Sequence, residues 1–269
     1  MLLSQLIPIY FLVGASAGIL AGLLGVGGGL IIVPALAYLY IEFGFDEAII
    51  MQLAVGTSLA TIVVTAISST LSHHKKGAVI WEVFIQLAPA ICVGVGLGAF
   101  LAVNISSNTL KNVFGVFEML IALQMLVSLN KSVRSEAQKI HSSQTSHIVA
   151  GLGIGTLSAF IGIGGGTFTV PYLTWQLVGI RQAVATSAAC GLPIAIMGCI
   201  SYIVLGLNQP QLPQYATGFV YWPSVLVMGI SSVIMAPLGV HLAHRIPTKA
   251  LKSVFALLLI VVGAWMVLY

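Results

Sequence analysis

The chain has 269 residues, of which 59% are hydrophobic and 6% are charged, and its formal net charge is +4. Soluble domains carry about 25% charged residues, so this composition excludes an ordinary soluble domain and predicts an all-α polytopic membrane protein in a lipid bilayer. The small positive charge is typical of basic cytoplasmic loops and gives no support to nucleic-acid binding.

The first feature along the chain is a stretch that occurs twice. Residues 14–36 read GASAGILAGLLGVGGGLIIVPAL, and residues 151–173 read GLGIGTLSAFIGIGGGTFTVPYL. Ten of the 23 aligned positions are identical, among them the Gly-x-Gly-Gly-Gly segments at 25–29 and 162–166. Each glycine costs about 1 kcal/mol relative to alanine in a helix. Three in a row inside an apolar run therefore predict a helix that is broken within the membrane.

The lengths on either side of the first break predict a re-entrant pair. The apolar run 6–24 is about 28 Å long as a helix, and the run 30–40 is about 16 Å long. A hydrocarbon core of about 30 Å cannot be crossed by the second run. We expect a helix, a glycine turn at depth, and a half-helix that returns.

The rest of the chain continues the duplication. Three spanning helices are predicted to follow the first break, at residues 49–71, 81–103 and 110–129. The second broken pair, at 148–161 and 167–178, is followed by a span that reaches residue 205. Residues 218–222 and 251–255 then match 77–81 and 110–114. The predicted organisation is a first membrane repeat at 1–130, a hydrophilic linker at 131–146, and a second membrane repeat at 147–269.

Charge predicts the relative direction of the two repeats. If each broken segment crossed the membrane, the ten basic residues would divide five against five between the two sides. If each broken segment returns, they divide nine against one, with Lys111 alone on the opposite side. Cytoplasmic loops hold the excess of Lys and Arg. The sequence therefore predicts inverted repeats in the cell (inner) membrane, with both termini outside the cytoplasm.

The glycine breaks are the candidate binding site. A half-helix that begins after three glycines leaves N–H groups without intrahelical partners at its positive end, which favours an anion. Hydroxyl donors follow at equivalent positions of the two repeats. The candidate substrate-binding residues are Gly27, Gly28, Gly29, Thr57, Ser58, Gly164, Gly165, Gly166, Thr186 and Ser187. The alternative is that these glycines permit tight helix packing and that the hydroxyls bond to their own helices.

One carboxylate, Glu118, lies well inside an apolar run. An intramembrane acid indicates function, here a proton-coupling group or a contact that locks two helices together. The histidines lie in or beside loops, so no metal site or cofactor is expected. Cys92, Cys190 and Cys199 are expected to be small buried residues, and contact between one of them and a sulfur-containing substrate stays open. No group of catalytic residues is present, so no enzyme activity is expected.

These motifs carry a resemblance to a known family. GVGGGLIIVP and GIGGGTFTVP, each followed by a [GA]-T-S span and then G-x-V-x-W, resemble the sulfite exporter TauE/SafE family. The resemblance implies a secondary transporter of small sulfur-containing anions such as sulfite, sulfoacetate or other organosulfonates, with the glycine breaks as its site. Ala185 in the second repeat replaces Gly56 of the first, which makes the half-sites unequal. An anion channel with the same site is the alternative, and the sequence is compatible with a homo-oligomer.

Overall fold

The structure is a computed structural model that describes residues 3–25, 27–127, 144–176, 178–242 and 248–268. Within these residues the chain forms ten helices and one short antiparallel hairpin. The elements are α1 (Leu3–Leu24), α2 (Gly29–Glu42), α3 (Ile50–His74), α4 (Trp81–Val103), α5 (Ser107–Val127), α6 (Gln144–Ile161), α7 (Gly166–Trp175), α8 (Ile180–Gly206), β1 (Ala216–Thr217), β2 (Val220–Tyr221), α9 (Trp222–Leu242) and α10 (Thr248–Leu268).

Five helices are long and apolar enough to cross a membrane, namely α3, α4, α5, α8 and α9. The described apolar stretches of α1, α2 and α10 are shorter than those of the five spanning helices, at 10–17 residues each. The prediction of an all-helical, multi-pass membrane protein is confirmed at this level.

The chain breaks its helices at both predicted glycine segments. Helix α1 ends at Leu24 and α2 begins at Gly29, and α6 ends at Ile161 and α7 begins at Gly166. The two helices that follow the breaks have 14 and 10 residues, or about 21 and 15 Å. Neither is long enough to cross a core of about 30 Å.

Some predicted boundaries differ from those observed. Helix α3 continues to His74 and enters the predicted basic loop at 72–77, because its helical hydrogen bonds continue as far as Lys75 N to Leu71 O (3.0 Å). Most of the predicted linker lies outside the described residues, and its last three residues belong to α6. The hairpin of β1 and β2 was not expected between α8 and α9.

The central contact between the two halves is made by α3 and α8, which run antiparallel. Near the start of α3, Leu59 packs against Gly198, which lies late in α8. Near the end of α3, the Thr70 hydroxyl donates to the Ala188 carbonyl (3.1 Å), which lies early in α8. Because position in one helix rises as position in the other falls, the chain direction is reversed across this contact.

Helices α1 and α6 each pack closely against a helix of the other half. Gly14, Gly18 and Gly22 of α1 lie successively against the backbone of α9 at residues 228, 232 and 236–240. Gly151 and Gly155 of α6 lie in the same way against the backbone of α4 near residues 87 and 91. Both pairs run parallel. These helical glycines serve close helix packing.

Candidate functional site

The residues that precede the two half-helices have the same unusual backbone. Gly28, the N-cap of α2, has φ of 81°, and Gly165, the N-cap of α7, has φ of 79°. These values lie in the left-handed region that glycine adopts without cost. Neither N-cap makes a side-chain capping hydrogen bond. The first N–H groups of both half-helices therefore lack the usual cap.

The two breaks, which are 137 residues apart in sequence, are in contact. A Cβ added to Gly27 would lie 2.8 Å from the Cα of Gly164. A Cβ added to Gly29 would overlap the carbonyl oxygen of Gly162. Any side chain at either position would separate the two segments. The glycines thus bring the N-termini of α2 and α7 together inside the protein.

Two of the predicted hydroxyls tie each break to the other half of the chain. Ser58 of α3 donates to the carbonyl of Gly162 in the second break (2.9 Å). Ser187 of α8 donates to the carbonyl of Gly25 in the first break (3.3 Å). Both serines are fully buried. The two bonds are reciprocal, so each repeat holds the break of the other.

The neighbouring threonines contact the segments that precede α4 and α9. The Thr57 oxygen accepts a hydrogen bond from the backbone N–H of Tyr221 (3.0 Å). The Thr186 oxygen accepts one from the backbone N–H of Ile80 (3.0 Å). Tyr221 and Ile80 occupy equivalent places in the two repeats, each directly before a tryptophan. All four predicted hydroxyls thus position the breaks and their surroundings, and that they bind an anion stays a prediction.

A small cavity lies where the breaks meet α3 and α8. Its volume is about 10 Å³, which is close to the least that holds one water molecule. The lining residues are Ala21, Gly25, Gly27, Ala66, Ser69, Gly164, Ala188 and Gly191. An anion of several heavy atoms does not fit in this volume. The breaks must therefore move apart before such an ion can occupy the space between them.

Four buried hydroxyls near the breaks were missed by the sequence analysis. Their oxygens have no hydrogen-bond partner in the described part of the chain. They belong to Ser69, Ser158, Thr167 and Thr169. Three of them are in or beside the second break, where the first repeat has Ala21, Leu30 and Ile32. The signal that could have found them is this one-sided polarity at aligned positions.

Glu118 is fully buried in α5, at the contact with α10. Neither carboxylate oxygen has a hydrogen-bond partner among the described residues, so a helix contact locked by its hydrogen bonds is not observed there. Its neighbour Phe117 makes an edge-on ring contact with Phe168 of α7 (6.5 Å between centroids). The acid is therefore one residue away from a direct contact with the second half-helix.

Comparison with known proteins gives a consistent family. The profile of the sulfite exporter TauE/SafE family matches residues 10–266. A probable membrane transporter protein of Haemophilus influenzae is 39% identical over 252 residues, which cover 94% of both chains. A probable membrane transporter protein of Methanocaldococcus jannaschii is 31% identical, and the match covers 98% of this chain and 96% of that protein. The probable membrane transporter protein YunE of Bacillus subtilis is 28% identical over 96% of both chains.

No solved structure gives a significant match to the chain. The family and these relatives are named as transporters and not as enzymes. The match extends over both glycine breaks and all the helices between them. The chain therefore belongs to the sulfite exporter TauE/SafE family of membrane transporters.

Proposed function

We propose that this protein is a secondary transporter of small sulfur-containing anions, of which sulfite, sulfoacetate and other organosulfonates are the candidates. The anion is held between the two glycine breaks by the N-termini of α2 and α7. The binding residues are the six break glycines, at 27–29 and 164–166, with the hydroxyls of Thr57, Ser58, Thr186 and Ser187 close by.

The observation that carries this proposal is the meeting of two uncapped half-helix N-termini in the protein interior. Gly28, Gly29 and Gly164–Gly166 are buried. No backbone carbonyl in the described residues accepts a bond from the N–H groups of Gly164, Gly165 or Gly166. Such groups at the positive ends of two helices offer an anion several hydrogen bonds without a buried lysine or arginine. Each bond to a charged group contributes about 1.5–3 kcal/mol.

The proposed architecture is a pair of inverted repeats, with the site near the bilayer midplane. The antiparallel packing of α3 on α8 supports it, since these helices are equivalent in the two repeats. A two-fold relation between antiparallel spanning helices requires an axis in the membrane plane. Parallel repeats would place α3 and α8 in the same direction. In inverted-repeat transporters broken helices meet near the midplane.

In the proposed orientation the protein lies in the inner membrane of the cell. Its basic loops face the cytoplasm, and both termini lie on the opposite side of the membrane. Lys76, after α3, donates to the carbonyl of Val240 near the end of α9 (3.3 Å). This contact supports a common side for the ends of α3 and α9. In the parallel arrangement these two ends would lie on opposite sides of the membrane.

Flux measured in proteoliposomes tests the function. We expect saturable uptake of radiolabelled sulfite or of one organosulfonate in a panel of sulfite, thiosulfate, sulfoacetate, taurine and sulfate. Unlabelled substrate on the opposite side should accelerate it. A channel would instead give flux that neither saturates nor responds to substrate on the opposite side. Absence of flux for every anion in protein that reconstitutes correctly would contradict the proposal.

A further inference from the structure

The second break differs from the first in the polarity of the side chains around it. Ser158 lies in the last turn of α6, and Thr167 and Thr169 lie in the first turn of α7. The aligned residues of the first repeat are Ala21, Leu30 and Ile32, whose side chains have no polar atoms. The set of three hydroxyls therefore belongs to one half-site alone, although the backbone of the two breaks is alike.

The three hydroxyls are buried and have no hydrogen-bond partner in the part of the chain that the structure describes. The residues that carry them are 0, 8 and 0% exposed for Ser158, Thr167 and Thr169. None of their oxygens makes a hydrogen bond to a described residue. A buried hydroxyl without a partner costs about 1–3 kcal/mol. Three such groups in the two helical turns that flank one break are a costly arrangement unless something else binds them.

Two of the hydroxyls converge on the N-cap of α7. The Ser158 oxygen lies 3.5 Å, and the Thr169 oxygen 3.6 Å, from the position that a Cβ on Gly165 would occupy. Gly165 is also the residue with φ of 79° that starts the half-helix. Side-chain donors and uncapped backbone N–H groups are thus gathered at one point. The side chain of Ile194 also reaches this point, so it must move when a ligand binds.

We infer that, of the two breaks, only the second donates side-chain hydrogen bonds to the oxyanion group of the substrate, through Ser158 and Thr169, while the apolar side chains of the first break contact the rest of the substrate. This inference rests on the proposed function. It assigns the substrate class as an ion with a sulfonate-like head and a less polar remainder. An oxygen placed against Leu30 and Ile32 would lose its hydration without a partner, which is unfavourable.

Binding to the full-length chain in detergent tests the hydroxyls, with sulfite and methanesulfonate as probes in titration calorimetry. We expect Ser158→Ala and Thr169→Val each to lower the affinity at least tenfold, or about 1.4 kcal/mol. The ligand-free variants should melt no earlier than the wild type, because each loses an unpaired polar group. Thr174→Val is the matched control on α7, since its hydroxyl donates to the Pro171 carbonyl (2.9 Å). The Thr174→Val variant should bind both probes with wild-type affinity.

An isosteric pair of ligands tests the apolar side. Methanesulfonate and sulfamate are monoanions of the same shape in which a methyl group and an amino group take the same place, so the wild type should bind methanesulfonate at least tenfold more tightly than sulfamate. Sulfamate that binds as tightly as methanesulfonate overturns the assignment of the first break. Wild-type affinity in both Ser158→Ala and Thr169→Val overturns the assignment of the second break and leaves the proposed function standing. A wild-type protein that binds no sulfur oxyanion contradicts the proposed function itself.

Discussion

Gly28 and Gly165 each combine a left-handed backbone with close neighbours. A Cβ on Gly28 would lie 2.8 Å from the Ala17 carbonyl oxygen, and one on Gly165 would overlap the end of the Ile194 side chain. Residues with a side chain are strained at these φ values. Gly96 and Gly153, which lie within helices, have neither feature, because a Cβ there would meet nothing within 4 Å and their φ values are not positive. At the residue scale the breaks are therefore distinguished by conformation as well as by composition.

Replacement of Gly165 by alanine should lower anion affinity at least tenfold, or about 1.4 kcal/mol, in protein that still folds. The added methyl group strains the turn and enters the space beside the Ser158 and Thr169 hydroxyls. The measurement is equilibrium binding of sulfite, with elution volume and melting temperature to check folding. Gly153→Ala is the matched control, because a Cβ there meets nothing within 4 Å. Equal affinities in Gly165→Ala and Gly153→Ala would remove Gly165 from the site.

The serine bonds between the repeats should contribute to stability. Ser58→Ala leaves the buried Gly162 carbonyl without its donor and should cost about 1–3 kcal/mol. Ser187→Ala should cost less, because its bond is longer (3.3 against 2.9 Å). Ser16→Ala, which removes an exposed hydroxyl bonded to its own helix, should change stability by less than about 0.5 kcal/mol. Thermal unfolding in detergent measures all three, and a larger loss for Ser16→Ala than for Ser58→Ala would contradict this role.

At the scale of elements, α5 connects the buried acid to the second half-helix. The carboxylate oxygens of Glu118 have no hydrogen-bond partner among the described residues. The adjacent Phe117 contacts Phe168 of α7. A change of charge at Glu118 would alter the packing of α5 against α10 and, through the two rings, against α7. We therefore propose that Glu118 carries a coupling proton.

The variant Glu118→Gln keeps the size of the side chain and removes its proton exchange. We expect it to abolish sulfite flux driven by a pH gradient while equilibrium binding stays largely intact. Glu82→Gln, an exposed acid in the first turn of α4, is the control and should transport normally. Gradient-driven flux at the wild-type rate in Glu118→Gln would leave Glu118 with a structural role.

The sequence predicted the elements around the site better than the contacts between them. The run of glycines in each repeat is a local signal, and both helix breaks lie where it predicted them. The bonds from Ser58 to Gly162 and from Ser187 to Gly25 join residues 104 and 162 positions apart. No local pattern encodes such contacts. Thr167 and Thr169 were missed because a threonine in an apolar helix is ordinary until its hydroxyl is found unpaired.

At the scale of the whole molecule, the ends of the site are closed differently. Toward the start of α3 and α9, the rings of Tyr40, Phe43, Phe45 and Tyr221 pack together, with centroids 5.2–6.5 Å apart. Toward the end of α3, Ala66 and Ser69 line the small cavity together with Gly191 of α8. Because the residues on this side are small, we expect it to open more easily than the aromatic side. In the proposed orientation it is the cytoplasmic side.

Single cysteines in a cysteine-free chain test this orientation. Cysteines at residues 72–77, 135–144 and 244–249 should all react with an impermeant reagent from the cytoplasm alone, because the inverted arrangement places all three segments there. The contact of Lys76 with Val240 already joins the first segment to the end of α9. A cysteine in the acidic segment at residues 42–47 should react from the other side. Labelling of 244–249 from the side opposite to 72–77 would contradict inverted repeats.

The most direct measurement is the position of a bound ion. Selenite has the pyramidal shape of sulfite, and anomalous scattering locates its selenium in crystals of the protein with ordinary methionine. We predict a bound selenite between residues 27–29 and 164–166, on the Gly165 side, with the two breaks further apart than in the present structure. Selenite bound elsewhere while Gly27 still touches Gly164 would contradict an anion site at the breaks.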